Sequence, residues 1–316
     1  MPSAALVSNL TQEWVESLLR WKLHFFVIPT SVVSVATLVA DPVLLSCIVL
    51  SRALRRETRY LLVANTLAAD ILFLVFNLAV VVCNAAGARV PWLLCELITA
   101  VTVTAYTCAV FTITLMVVDT YAAVRWPLRY HELLPPERTH RVLLGAWLLA
   151  AAYPLVLVVV RVVRGEHARD SGAVCLALIS LGFFQVEDVR GVHVHFVVWA
   201  LVCAALIFFC YARLYMVTRT QGIWQSRFSR ARVTLLAHGV LLLLYFTPGL
   251  VFILELFLLQ AEDMSQDLRV WLSTVNMCVF MLLPRAVAPY LYGLRYRELA
   301  VTLTLLLQPH GRHAGA

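Results

Sequence analysis

Apolar residues along this chain gather into seven long runs: Phe25–Leu50, Tyr60–Cys83, Trp92–Val124, Val142–Val160, Val194–Val217, Val233–Leu259 and Val270–Leu294. Arginine, proline, glycine and polar clusters fill the breaks between them. A helix needs about 20 mostly apolar residues to cross a bilayer, and each run is near that length. The pattern therefore predicts an all-α membrane protein, a bundle of seven transmembrane helices. No internal repeat is evident. The chain divides into an N-terminal segment 1–24, a bundle 25–294 and a tail 295–316. The tail opens with Arg295, Tyr296, Arg297 and Glu298 before the apolar stretch Leu299–Leu307. That short, mixed composition fits a helix lying on the membrane surface better than an eighth span.

Composition sharpens the class. Of the 316 residues, 62% are hydrophobic and 14% charged, where soluble domains carry roughly 25% charged residues. A soluble core cannot hide that much apolar surface. Net charge is +7, and Lys22 is the only lysine. The arginines sit between apolar runs and form no separate basic domain, so nucleic acid is not an expected partner. Arg52, Arg55, Arg56 and Arg59 fall in the first break, Arg125, Arg129, Arg138 and Arg141 in the third, Arg219, Arg227, Arg230 and Arg232 in the fifth. The positive-inside rule puts these breaks in the cytoplasm and the N-terminus outside. Asn9-Leu10-Thr11 is a glycosylation sequon on that outer side. Residues 1–24 lack a signal-peptide layout, because Glu13 and Glu16 interrupt the stretch that would be apolar. Among eight cysteines, Cys95 and Cys175 lie in outward segments and are the candidates for a disulfide.

Local motifs narrow this further. The second run holds Asn65-Thr-Leu-Ala-Ala-Asp70, and Asp119-Thr120-Tyr121 follows Cys95 by twenty-four residues. Pro127-Leu128-Arg129-Tyr130, Trp147, Cys210-Tyr211, Pro248 and Pro289-Tyr290-Leu291-Tyr292 come in order behind them. Together these resemble the rhodopsin-like G-protein-coupled receptors over about residues 25–300. The resemblance implies a plasma-membrane receptor with a heterotrimeric G protein as partner and a Cys95–Cys175 bridge over the bundle mouth. It implies an activation hinge at Phe246, Pro248 and Pro289. It also implies a cytoplasmic cavity lined by Thr120, Tyr211 and Tyr292, beside Asp119 and Tyr121 and flanked by Arg230 and Arg232. Departures from the family pattern are equally plain. Thr120 replaces the G-protein-contacting arginine, Pro42 the first-helix asparagine, Cys203 the fifth-helix proline, Phe246 the switch tryptophan and Ala288 the asparagine before Pro289.

Three of the charges inside the runs stand out by their place well within a span: Asp41, Asp70 and Arg285. A charge in hydrocarbon costs several kcal/mol unless paired or hydrated. In the family, the aspartate at the place of Asp70 binds sodium with help from polar neighbours. Here those neighbours are Ala109, Pro284 and Ala288. We expect the Arg285 guanidinium to replace the ion, pairing with Asp70 through two parallel hydrogen bonds, with Asp41 as a third member. Asp119 has two readings, a solvated helix-end carboxylate or an acceptor for a loop group such as Tyr130.

By the same resemblance Thr102, Tyr106, His195, Trp199, Ile253 and Cys278 should line a ligand pocket. Thr102 stands where amine receptors carry an aspartate, so a cationic amine is not the expected ligand. A neutral or lipid-like molecule, or part of a peptide, suits the lining. His193 and His195 are too few for a metal site, and neither a metal nor another cofactor is expected. Phosphate-binding loops and catalytic triads are missing, so the chain is not read as an enzyme. Three competitors remain. An odorant-type receptor is suggested by Gly293-Leu294-Arg295, a receptor-fold protein that does not couple by Thr120, and a seven-helix transporter only by span number, since repeated halves are not visible.

Overall fold

The computed structural model describes residues 23–86, 88, 90–133, 135–163, 175, 189–220, 239–251, 253, 254, 272 and 275–295. Seven helices correspond to the seven runs: α1 Leu23–Leu50, α2 Thr58–Ala85, α3 Trp92–Arg125, α4 Pro136–Val163, α5 Val189–Thr220, α6 Gly239–Val251 and α7 Leu283–Arg295. A bilayer offers no water to backbone groups, so each crossing segment must close its own hydrogen bonds as a helix. Five of them, α1 to α5, are long and apolar enough to span. Their outward faces are apolar, as with Leu144, Leu148 and Val159 on α4 and Leu201, Phe208 and Phe209 on α5. Lipid is the solvent such faces require.

The sequence pattern placed several boundaries too tightly. Helix α4 begins at Pro136, six residues before the apolar run, and α5 begins at Val189, five before it. Apolar length records only the stretch in hydrocarbon, whereas helices continue beyond it. Pro136 and Glu137 open α4, a proline needing no N–H partner there and an acid favoured by the helix dipole. The first arginine-rich break contains a 3-10 turn, Leu54–Arg56, and the third a single α-helical turn, Tyr130–Leu133. The seventh run is not one helix. A π-helical segment, Asn276–Phe280, precedes α7, and the Met281 amide donates to the Asn276 carbonyl at 2.9 Å. Pro284 lacks an N–H, so the ordinary ladder cannot run through this point.

Helix α3 is the axis of the bundle, with 61% of its most apolar stretch buried against 17–39% for α1, α2, α4 and α5. It packs on α2, α4 and α5, while α1 joins α2 to α7. Polarity inside α3 is contained locally. Thr99, Thr102, Thr104, Thr112, Thr114 and Thr120 each return the hydroxyl to the carbonyl four residues back at 2.7–2.9 Å. Between helices, Asn65 donates to Thr112 at 2.8 Å and accepts the Trp147 indole N–H at 2.9 Å, fastening α2, α3 and α4. Two apolar clusters fill the interior. One contains Leu67, Ile113, Met116, Leu241, Tyr245 and Tyr292, the other Phe73, Leu74, Ala105, Tyr106 and Leu282. Asp70 and Arg285 fall between them.

Candidate functional site

A small cleft of about 50 Å³ lies between α3, α5 and α6. Tyr106, Thr107, Val110 and Phe111 form its α3 wall, Trp199 and Cys203 its α5 wall, and Tyr245, Phe246, Gly249 and Ile253 its α6 wall. The rings of Phe111 and Trp199 meet edge to face at 5.6 Å. No charged side chain lines the cleft among the described residues. Of the expected pocket residues, the structure brings Tyr106, Trp199 and Ile253 together here. Thr102 is not part of the wall, and its hydroxyl donates to the Ile98 carbonyl at 2.8 Å. The side chains of His195 and Cys278 lie outside the described residues.

Behind the cleft sits the intramembrane charge. Arg285 is fully buried, at 0% exposure, and its Nε lies 3.2 Å from Asp70 Oδ1. That contact is an ion pair by distance but lacks hydrogen-bond alignment, so the two-bond fork expected from sequence is not what forms. Nη1 of Arg285 instead donates to the Met281 carbonyl at the junction between the π segment and α7. Its guanidinium carbon is 3.5 Å from the centre of the Phe73 ring, a cation–π contact,. The second Asp70 oxygen accepts the hydroxyl of Tyr245 from α6. Tyr245, fully buried, was not singled out by sequence reading.

Asp41 does not join this group as expected. Both of its oxygens are buried without a hydrogen-bond partner among the described residues, and it makes no ion pair with Arg285. It remains within electrostatic range of Asp70 and Arg285. Helix α1 reaches α2 and α7, but the Arg285 guanidinium is directed to Asp70, the Met281 carbonyl and the Phe73 ring, and its Nη2 has no hydrogen-bond partner among the described residues. A second pair was also missed. Glu96 on α3 and Arg161 on α4 are joined by a salt bridge, with Glu96 1% exposed and Arg161 13%. The Arg161 guanidinium also stands over Trp92 at 5.8 Å. Next to Glu96, Cys95 is bonded to Cys175, with Cα atoms 5.8 Å apart.

At the far end of α3, Tyr130 donates to Asp119 at 2.6 Å. Burial, and then this carboxylate, hold the Tyr130 hydroxyl well above its ordinary value. Of the two readings of Asp119, the loop acceptor is the one the structure adopts. Thr120 turns its hydroxyl to the Met116 carbonyl at 2.8 Å. Tyr121 packs edge to face on Trp126 and Phe209, at 6.0 and 6.3 Å. Tyr292 is buried in the core and Tyr211 packs against it. Pro248 and Pro289 are buried within α6 and α7, and the Pro248 carbonyl accepts the Asn276 amide at 3.3 Å. Arg230, Arg232 and Asn9 lie outside the described residues.

Apolar helices packed about a buried ion pair, with a cleft opening beside it, make up a helical membrane bundle. The family profile of the 7 transmembrane receptor (rhodopsin family) matches residues 42–299, and the chain belongs to that family. It is 32% identical over 279 residues to human "Probable G-protein coupled receptor 148", covering 88% of this chain and 80% of that protein. It is 22% identical over 245 residues to "Odorant receptor 131-2" of Danio rerio, covering 77% and 74% of the two chains.

Proposed function

We propose that this receptor sits in the plasma membrane with its N-terminus outside and residues 295–316 along the inner face, and that its ligand is a neutral, largely apolar molecule. The uncharged wall of the α3–α5–α6 cleft supports this reading. A cationic amine would be desolvated there without a counter-charge, at a cost of several kcal/mol. The arrangement suits an aromatic or lipid-like ligand held by Phe111, Trp199 and Phe246.

Ligand binding shifts the bundle toward a form open at the Asp119–Thr120 end, where a heterotrimeric G protein docks against Tyr211, Tyr292 and the arginines Arg230 and Arg232. The shift requires a ligand that favours the open form. In this reading Arg285 replaces the sodium ion that related receptors hold beside the equivalent of Asp70. The side chain brings the charge, and Ala109 and Ala288 leave it room.

Basal G-protein activation, measured across all G-protein families for the wild type and Thr120→Arg, tests coupling. Activation of one family, enhanced by the arginine, is expected. Silence of both proteins would favour the second reading, a receptor-fold protein that does not couple, which the inward turn of Thr120 supports. The similarity to the Danio rerio odorant receptor directs the ligand search toward odorants as well as lipids.

A further inference from the structure

We propose that Tyr245 is the positioning residue that ties the ligand cleft to the buried Asp70–Arg285 pair, so that α6 leaves α2 only when its hydroxyl lets go of Asp70. The proposal rests on reading the cleft as the ligand site. One residue takes part in both places. It is one of the residues that line the cleft. Its hydroxyl donates to Asp70 Oδ2, and its ring centre lies 5.7 Å from the Arg285 guanidinium. Its own carbonyl accepts the hydroxyl of Tyr106, another wall residue, at 2.9 Å. The Tyr106 ring is in turn 5.5 Å from Arg285.

Chemistry makes this a latch rather than ordinary packing. A phenol hydroxyl inside a bilayer has no water to turn to, so separation from Asp70 leaves both groups worse off. Asp70 is on α2 and Tyr245 on α6, 175 residues apart. An outward movement of α6 therefore strips a donor from the carboxylate and leaves it to Arg285. An occupant that displaces the Tyr106 or Tyr245 ring acts on the same bond from the cleft side. Phe246, the residue at the expected switch position, lines the cleft but has no polar group with which to reach α2. In this chain the handle has moved one residue along α6.

The full-length receptor in lipid nanodiscs, spin-labelled at Leu128→Cys and Val240→Cys, both exposed, reports the position of α6 without ligand or G protein. Tyr245→Phe removes only the hydroxyl. It should raise the population with the longer 128–240 distance about ten-fold, as expected for loss of a hydrogen bond to a charged acceptor. Tyr106→Phe should move it in the same direction by less. Thr247→Ala, whose hydroxyl bonds its own helix at the Leu243 carbonyl, should leave it unchanged. In an Asp70→Ala background, Tyr245→Phe should add nothing further, which a merely space-filling role would not predict. A Tyr245→Phe distance distribution that superimposes on the wild type, or equal effects with and without Asp70, overturns the proposal. A receptor that activates no G protein would still give these shifts, so failure of coupling and failure of the latch are distinguishable.

Discussion

Replacing Arg285 by methionine removes the guanidinium and keeps much of the side-chain volume. Three contacts disappear together: the 3.2 Å approach to Asp70, the bond to the Met281 carbonyl and the 3.5 Å stack on Phe73. Asp70 keeps the Tyr245 hydroxyl, but its charge is left in a site that water does not reach. Breaking a buried pair from one side costs about 3–5 kcal/mol. At about 2 °C per kcal/mol for a chain of this size, thermal unfolding should fall by roughly 6–10 °C. Purified receptor in nanodiscs, followed by a thiol-reactive dye on its buried cysteines, gives that number. The double variant Arg285→Met/Asp70→Asn should recover most of the loss, because no charge is then orphaned. Sodium chloride should not stabilise the wild type more than choline chloride at equal ionic strength. An unfolding temperature within about 1 °C of wild type for Arg285→Met, or a sodium-specific stabilisation of the wild type, would refute the pairing.

Other substitutions separate neighbouring effects. Asp41→Asn should be neutral or stabilising within about 1 kcal/mol, since neither carboxylate oxygen has a hydrogen-bond partner to lose among the described residues,; a loss as large as that of Arg285→Met in the same thermal assay would place Asp41 in the pair after all. Arg161→Met should destabilise by about 3 kcal/mol and Glu96→Gln by less, because Glu96 is the more deeply buried partner; equal losses would contradict the burial argument. Cys175→Ser opens a bridge spanning 80 residues, and unfolding assays should show a loss of about 2–5 kcal/mol. Tyr130 is held as the neutral phenol, so the folded state binds its proton more tightly than the unfolded one. Its contribution is complete below the ordinary phenol value of about 10 and declines as pH rises beyond it. Tyr130→Phe should flatten that part of the alkaline stability curve, and an unchanged slope would count against the Asp119 bond.

What could be read from the sequence was what hydrocarbon makes conspicuous. Asp70 and Arg285 stand out because a charge in an apolar run demands an explanation, and the structure sets them 3.2 Å apart. Tyr245 was not legible in the same way. It sits in Leu-Leu-Leu-Leu-Tyr-Phe, where a tyrosine resembles one more bulky apolar residue. The overlooked signal was its hydroxyl, which also needs a partner in lipid. Glu96 and Arg161 escaped because they lie near run ends, where charges are ordinarily solvated. The π segment could have been suspected from Pro284 and Pro289, which remove two amide donors within six residues of the seventh run,. The Thr102 hydroxyl was assigned to the pocket from its family position, but a threonine in a helix readily bonds the carbonyl four residues back, as it does here,.

Two of the departures from the family pattern, Ala288 and Thr120, lie beside a carboxylate that accepts a hydrogen bond from a tyrosine. At Asp70 the small residues Ala109 and Ala288 offer no side-chain oxygens to a free ion, but they leave volume. Arginine needs volume more than oxygens, since it carries its own charge and donors. Tyr245 then completes the second oxygen of Asp70. At Asp119 the neighbouring arginine is gone, and Tyr130 reaches in from the loop. A phenol satisfies an acceptor without bringing a charge, and its adequacy depends on the dielectric around it. Asp70 is enclosed on all sides, so a full cation had to be retained beside the phenol,. Asp119, 8% exposed, is also buried, near the end of α3 and six residues from Arg125, and the Tyr130 hydroxyl meets one of its oxygens there. The loss of arginine at position 120 and the gain of arginine at position 285 are thus separate changes. The first leaves a carboxylate that a loop phenol reaches, and the second supplies the cation that a fully enclosed carboxylate requires,.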